Sequence, residues 1–171
     1  VTENTAAVTI VTATDADLPA QTLVYSISGG LDATKFTINS SSGALSFITA
    51  PNYEVPTDNG ANNVYNVTVQ VSDGTFTDTQ AISVTVTNTN DTVPVVTLGQ
   101  TFVVSELAAN GTSVGSVAAT DADGSTAFNG WAITAGNNSG VFAINAATGV
   151  ITVVNRTSLN FDVTPSYALS P

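Results

Sequence analysis

The sequence contains no cysteine and no histidine among its 171 residues. Disulfide cross-links and the usual cysteine and histidine sites for structural zinc are therefore excluded. Thiol nucleophiles and histidine general bases, which serve many hydrolases, are excluded as well. Stability must come from side-chain packing and from any ion that oxygen ligands can bind.

Basic side chains are almost absent, because Lys35 and Arg156 stand against 13 acidic residues and give a formal net charge of −11. Such a chain cannot neutralise a row of phosphates, which argues against nucleic acid and anionic membranes as partners. No apolar run approaches the roughly 20 residues that cross a bilayer, so we expect no direct membrane insertion. Bound cations would relieve the repulsion among the acidic groups.

Short motifs of the first half of the chain return in the second half about 105 residues later. A period of this length is the size of a domain, so the chain contains two copies of one domain in tandem. The matching segments are Val1-Thr2-Glu3 with Val104-Ser105-Glu106, Thr14-Asp15-Ala16-Asp17 with Thr120-Asp121-Ala122-Asp123, Phe36-Thr37-Ile38-Asn39 with Phe142-Ala143-Ile144-Asn145, and Asn52-Tyr53-Glu54 with Asn160-Phe161-Asp162.

Alternation of apolar and polar residues predicts β-strands within each copy. The runs 67–71 and 82–86 place valine or isoleucine at every second position, and Asp73-Gly74 between them is typical of a turn. The runs 36–38 and 45–47 flank a serine-rich turn that ends in glycine, and the second copy repeats this hairpin. No segment has a sustained helical period, so we expect an all-β fold with an antiparallel sandwich in each copy.

Residues 88–94 have the character of a linker, because polar residues replace the alternation there and Pro94 cannot extend a strand ladder. We expect a first domain over 1–91, a short stiff linker over 88–94, and a second domain over 95–171. The first copy is expected to lack part of its first strand. The second is expected to be truncated at its C-terminal end, because the region 67–86 has no second counterpart.

The acidic residues are few but patterned. Charged residues make up only 9% of the chain, and each of its three glutamates stands in one of the repeated motifs. Carboxylates are hard oxygen ligands of the kind that calcium requires. Each motif alone is also ordinary turn chemistry, since aspartate side chains accept hydrogen bonds from nearby backbone amides. Their ordered occurrence at the repeat spacing favours a calcium site.

Taken in order, Glu3, Asn52-Tyr53-Glu54, the 88–94 segment and Asp121-Ala122-Asp123 resemble the calcium-binding motifs of a cadherin repeat pair. That family has a Glu near the end of the first strand, an Asp-x-Glu, an Asp-x-Asn-Asp-Asn-x-Pro linker, and an Asp-x-Asp in the following repeat. The resemblance covers nearly the whole chain and implies two tandem Greek-key antiparallel β-sandwiches. The Thr-, Asn- and Ala-rich composition, without Cys, His or Met, resembles the cadherin-like repeats of large bacterial surface proteins.

The resemblance implies two or three calcium ions at the junction between the repeats. Five carboxylates would face up to six positive charges, and Asn52 stands where the family has a carboxylate, so the outermost ion should be the weakest. A weaker half-site toward an upstream repeat is implied for Asp15, Asp17 and Asp73. The implied ligands of the junction are the side chains of Glu3, Asn52, Glu54, Asn90, Asp91, Asp121 and Asp123 and the backbone carbonyls of Thr89, Thr92 and Asn129.

These features predict a calcium-rigidified repeat pair of a larger extracellular adhesion protein, at the cell surface or secreted and of bacterial origin. Its partners would be neighbouring repeats of the same polypeptide and other cell-surface proteins. Two alternatives stay open: a module that binds carbohydrate such as polysaccharide, although aromatic residues make up only 7%, and a homophilic adhesion domain. Trp131 is expected in the core or at its rim. An enzyme is disfavoured, because every well-placed carboxylate has a calcium role and no nucleophile–base pair is visible.

Overall fold

The computed structural model describes residues 1–17, 19–124 and 127–171 of the chain. They separate into two compact units, Val1–Asn90 and Asp91–Pro171, and the division falls inside the segment 88–94. Apart from two single 3₁₀ turns at Ala33–Lys35 and Arg156–Ser158, every regular element of the described residues is a strand. The prediction of an all-β fold with antiparallel sheets is therefore confirmed.

The first unit is a sandwich of two three-stranded antiparallel sheets, with the orders β1-β4-β3 and β2-β5-β6. Its strands are β1 (Ala7–Ile10), β2 (Val24–Gly29), β3 (Phe36–Ile38), β4 (Ala44–Phe47), β5 (Val64–Ser72) and β6 (Thr77–Thr85). The predicted hairpin at 36–47 is formed by β3 and β4. Strands β5 and β6 pair over their whole length, and the predicted Asp73-Gly74 turn joins them.

Alternation along β5 determines the core of the first unit. Tyr65, Val67 and Val69 are buried, while the residues between them are partly exposed, because successive side chains of a strand point to opposite faces. The Phe36 and Phe47 rings stack with centroids 4.5 Å apart, and the Tyr65 ring meets that of Phe47 edge-on at 5.0 Å. Contacts of this kind stabilise a core beyond the area that they bury.

The second unit has a three-stranded sheet of order β8-β11-β10 and a separate pair, β7-β9. Its strands are β7 (Val95–Val96), β8 (Ser113–Ser116), β9 (Ala119–Thr120), β10 (Phe142–Ile144) and β11 (Val150–Val153). The predicted second hairpin is formed by β10 and β11. The described residues of this unit form no strand pair equivalent to β5 and β6, and an apolar cavity of about 720 Å³ opens beside its core.

The turn of the repeated hairpin has the same hydrogen bonds in both units. The side chain of Asn39 accepts the amides of the residues two and three positions on, and Asn145 does the same. Each turn ends in a glycine with a left-handed backbone, Gly43 at φ 69° and Gly149 at φ 68°. Gly43 is also closely packed, because a Cβ there would collide with the carbonyl oxygen of Val11.

We expect Gly43→Ala to lower the free energy of unfolding of the first unit by about 3 kcal/mol, because it combines left-handed strain with that collision. Gly74→Ala is the matched control, since Gly74 has φ 97° but open space around it. Its loss should be about 1 kcal/mol. Urea unfolding monitored by hydrogen exchange of first-unit amides measures both. Equal losses would contradict the close approach at Val11.

Candidate metal centre

Glu3 is the buried anchor of the candidate ligands in the first unit. Its side chain is only 3% exposed. One carboxylate oxygen accepts the amide of Tyr53 at 2.7 Å, and the other accepts the amide of Thr89 at 2.7 Å. Its own amide donates to the carbonyl of Thr87 at 3.1 Å. Glu3 therefore joins the beginning of the unit, the segment 52–54 and the end of the unit, all of which carry predicted ligands.

Glu54 lies close to Glu3. Each residue offers a carboxylate oxygen, and these two atoms are within 4.8 Å of each other. Two carboxylates at such a distance repel each other, and a cation between them would relieve that repulsion. Each oxygen of Glu3 accepts one amide and keeps a further lone pair, so Glu3 can still act as a ligand. An oxygen-only donor set suits calcium or magnesium rather than a soft transition metal.

The other predicted ligands of the first unit are less enclosed. Asn52 is exposed, and its side-chain oxygen accepts the amide of Val55 at 2.8 Å. That bond forms the turn in which Glu54 lies. Thr89 and Asn90 are exposed as well, and the amide of Thr89 holds Glu3. The residues around Glu54 thus have clear structural tasks of their own in this unit.

A second pair of close carboxylates belongs to the second unit. Asp91 and Asp123 each offer an oxygen, and these atoms lie within 4.8 Å of each other. The side chain of Asp123 accepts the amide of Thr92 at 2.7 Å, and its own amide donates to the side chain of Asp121 at 2.9 Å. Asp121 and Asp123 are half-buried, whereas Asp91 is exposed. The Asp-Ala-Asp triplet is therefore folded back on itself and bonded to the segment beside Asp91.

Asn129 lies on an exposed stretch directly before Gly130, whose amide donates to the carbonyl of Ala146 at 2.7 Å. Its predicted role as a carbonyl ligand stays a prediction.

The predicted upstream half-site repeats part of this geometry. The amide of Asp17 donates to the side chain of Asp15 at 2.9 Å, as in the later triplet. The other oxygen of Asp15 is enclosed and has no hydrogen-bond partner among the described residues. Asp73 caps the β5–β6 turn, because one carboxylate oxygen accepts the amides of Phe76 and Thr75 at 2.6 Å. The hydrogen bonds from the Phe76 amide, first, and from the Thr75 amide lower the pKa of Asp73.

The hydrogen bond from the Tyr53 amide to Glu3 in the first unit has a longer, more exposed counterpart in the second. The side chain of Glu106 accepts the amide of Phe161 at 3.0 Å, at the position equivalent to Glu3 and Tyr53. Glu106 is exposed, however, and Phe161 is 63% exposed. The repeated motif therefore reproduces the bond but not its burial.

Sequence reasoning missed a network of buried polar residues beside the segment 52–54. Asp32 accepts the amides of Asn59 and Asn66 at 2.6 and 2.8 Å. Asp58 accepts the amide of Asn63 at 3.0 Å, and the side chain of Asn63 donates to the carbonyl of Tyr53 at 2.9 Å. One signal could have found it, since the second copy contains no counterpart of the Asp-, Asn- and Gly-rich run 58–63.

The family model for the cadherin domain matches residues 1–88 and 100–170. Human protocadherin Fat 4 is 38% identical over 153 residues, which are 86% of this chain and 3% of that protein. Human protocadherin Fat 1 is 35% identical over 136 residues, which are 77% of the chain and again 3% of that protein. The chain thus spans a small part of the curated relatives that it matches.

Solved structures agree with the fold. The crystal structure of human protocadherin-24 EC1-2 has a TM-score of 0.67 at 25% identity, and covers 90% of this chain and 71% of that one. Mouse cadherin-23 EC22-24 has a TM-score of 0.66 at 26% identity, and covers 96% of this chain and 52% of that one.

These similarities give no support to two of the predictions from sequence. The relatives named here are human and mouse proteins, so the predicted bacterial surface type finds no support among them. Polysaccharide as a partner finds none either.

Trp131 packs against the core of the second unit, as expected of a residue at the core rim. None of the helical segments in the described ranges is long and apolar enough to cross a membrane.

We expect Glu3→Ala to destabilise the first unit by about 2 kcal/mol in calcium-free buffer, because it leaves the partly buried amides of Tyr53 and Thr89 without their acceptor. Glu106→Ala is the matched control. It removes one exposed hydrogen bond and should cost only about 0.5 kcal/mol in the second unit. Hydrogen exchange resolved by residue reports each unit separately. A loss at Glu3 no larger than that at Glu106 would contradict the anchoring role.

Proposed function

The chain belongs to the cadherin family, and from that premise we propose that it is a calcium-binding repeat pair of a larger cell-adhesion protein. The observation that carries this proposal is the pair of crowded carboxylates in each unit, Glu3 with Glu54 and Asp91 with Asp123, both within 4.8 Å. Each pair includes a member that backbone amides hold in place.

The ligand set that we propose is made of oxygen donors from both repeats and from the linker. It comprises Glu3, Asn52 and Glu54 from the first repeat, Thr89, Asn90, Asp91 and Thr92 from the linker, and Asp121, Asp123 and Asn129 from the second repeat. Five of these side chains are carboxylates, which suits two or three divalent ions. Bound calcium would supply the positive charge that the chain lacks, since its only basic side chains are Lys35 and Arg156. Asp15, Asp17 and Asp73 are proposed as a weaker half-site toward an upstream repeat.

The role that we propose for this chemistry is mechanical. Carboxylates from two repeats and the linker that share ions cannot move independently, so the joint becomes stiff when calcium is bound. Without calcium, the same carboxylates repel one another. The pair would therefore act as a calcium-dependent spacer within a longer extracellular polypeptide, with neighbouring repeats and other cell-surface proteins as partners. The family membership favours a non-catalytic role.

The full chain should bind calcium with a Kd of roughly 10⁻⁴ to 10⁻³ M, the range of extracellular calcium modules. We expect Glu54→Gln and Asp123→Asn each to raise the Kd about tenfold, because each removes one ligand charge. Asp78→Asn is the control for net charge alone, since Asp78 is exposed at the start of β6, whereas the other end of that strand leads to the proposed linker ligands. Isothermal titration measures all four proteins. Absence of calcium binding by the unaltered chain, or an equal effect of the control, would refute the site.

Calcium should also reduce the flexibility of the joint. Small-angle X-ray scattering of the full chain in saturating calcium should give a longer, narrower distance distribution than the same sample in excess chelator, because shared ions restrict the movement of the joint. Asp123→Asn should need correspondingly more calcium for the same change. A distribution that calcium leaves unchanged would contradict the spacer role even if calcium binds.

A further inference from the structure

Asn63 occupies an unusual place beside the candidate ligands of the first unit. It is only 8% exposed, and its backbone has the left-handed φ of 62°. Asparagine tolerates this conformation better than most residues. Neither the repeated motifs nor the proposed ligand set includes it.

The side chain of Asn63 fixes the peptide unit that precedes Glu54. Its amide nitrogen donates to the carbonyl oxygen of Tyr53 at 2.9 Å, and the amide of Tyr53 donates to Glu3 at 2.7 Å. Tyr53 is thus held through both its backbone polar groups. The carbonyl that Asn63 holds belongs to the same planar peptide as the nitrogen of Glu54. The orientation of that peptide therefore helps to fix the position of the Glu54 Cα atom, from which its side chain extends.

The backbone of Asn63 reaches a second segment that carries ligands. Its carbonyl accepts the amide of Val86 at 2.9 Å, and Val86 is only 1% exposed. Val86 lies three residues before Thr89, whose amide holds the other oxygen of Glu3. Asn63 itself is held by the side chain of Asp58, which accepts its amide at 3.0 Å. One residue thus connects both segments to which Glu3 is bonded.

The second unit shows that the fold does not require the run 58–63 or the hydrogen bonds of Asn63. Between Phe161 and Tyr167 it has only a short connection, with no counterpart of the run 58–63. Tyr167 nevertheless packs edge-on against Phe142 at 5.1 Å, as Tyr65 packs in the first unit. The equivalent of Tyr53, Phe161, is 63% exposed. The inserted run therefore does something beyond closing the core.

We propose that Asn63 is a positioning residue of the calcium site: it acts through the Tyr53 peptide to hold Glu54 ready to bind before the ion arrives. The inference rests on the calcium function proposed above and adds to it a residue that no ligand motif contains. Residues that orient metal ligands without touching the metal commonly contribute tenfold or more to affinity. Asn63 has the contacts of such a residue.

The test is a calcium titration of the full chain carrying Asn63→Gly. Glycine tolerates the left-handed backbone, keeps the backbone groups that bond to Asp58 and Val86, and removes the side chain that donates to Tyr53. We expect the Kd for calcium to rise about tenfold, and the amide of Glu54 to exchange faster with solvent in the calcium-free protein. Asn62→Gly is the matched control, since the side chain of Asn62 bonds to Val64 rather than to Tyr53, and its Kd should not change.

Val67→Ala separates positioning from general stability, because Val67 is buried in the core and does not contact Tyr53 by hydrogen bond. It should lower the melting temperature of the first unit and leave the Kd unchanged at 25 °C. A Kd that rises equally in Val67→Ala and Asn63→Gly would overturn the positioning role, as would an unchanged Kd in Asn63→Gly. Failure of the unaltered chain to bind calcium would instead refute the function itself.

Asn63→Asp is a second variant that tests the positioning role if the glycine variant folds poorly. Aspartate keeps the size and backbone preference of asparagine but cannot donate to Tyr53 when ionised. Its added negative charge would by itself strengthen the binding of a cation. A weaker affinity in this variant therefore supports the loss of positioning, whereas a tighter one would count against it.

Discussion

The structure depends most on a constraint of charge: acidic side chains must be held close together in a chain with almost no basic residues. Glu3 shows how the first unit meets it. Burial of a carboxylate is costly unless its oxygens are hydrogen-bonded, and here two backbone amides from separate segments at 2.7 Å satisfy both oxygens. These amides stabilise the charge without neutralising it. The fold thus holds a carboxylate in a fixed position where three segments meet, and a carboxylate held in this way can serve as a ligand for a cation.

The same logic accounts for the Asp-Ala-Asp triplets. In each, the amide of the second aspartate bonds to the side chain of the first at 2.9 Å, so an ordinary Asx turn supplies the local geometry. The turn alone has no need of a metal. The later triplet differs in two ways. Asp123 also accepts the amide of Thr92, and one of its carboxylate oxygens lies within 4.8 Å of a carboxylate oxygen of Asp91. Turn chemistry and ligand chemistry are compatible, because an aspartate oxygen that accepts one amide keeps a further lone pair.

Much of the fold could be predicted from the sequence, because two-residue alternation directly reflects which face of a strand is buried. The runs 67–71 and 82–86 and the two hairpins were recognisable for that reason. The acidic motifs were recognisable because they recur at the repeat spacing. The bonds of the network of Asp32, Asp58 and Asn63 were not, because the absence of the run 58–63 from the second copy marks the run as distinct but does not reveal its partners, and those of Asp32 lie 27 and 34 residues away. Polar residues in a glycine-rich run usually indicate an exposed loop, and only the tertiary structure shows that Asp32 and Asn63 are buried.

The contrast between the two units separates what the motif provides from what its surroundings provide. Both have a glutamate that accepts the amide of an aromatic residue in the following motif, at 2.7 Å in one and 3.0 Å in the other. In the first that residue, Tyr53, is half-buried and also held at its carbonyl by Asn63, whereas Phe161 in the second is 63% exposed. A ligand whose peptide is fixed loses less conformational entropy when it binds an ion than one on an exposed segment. If the chain binds calcium as proposed, similar motifs would therefore differ in affinity through residues that no ligand pattern includes.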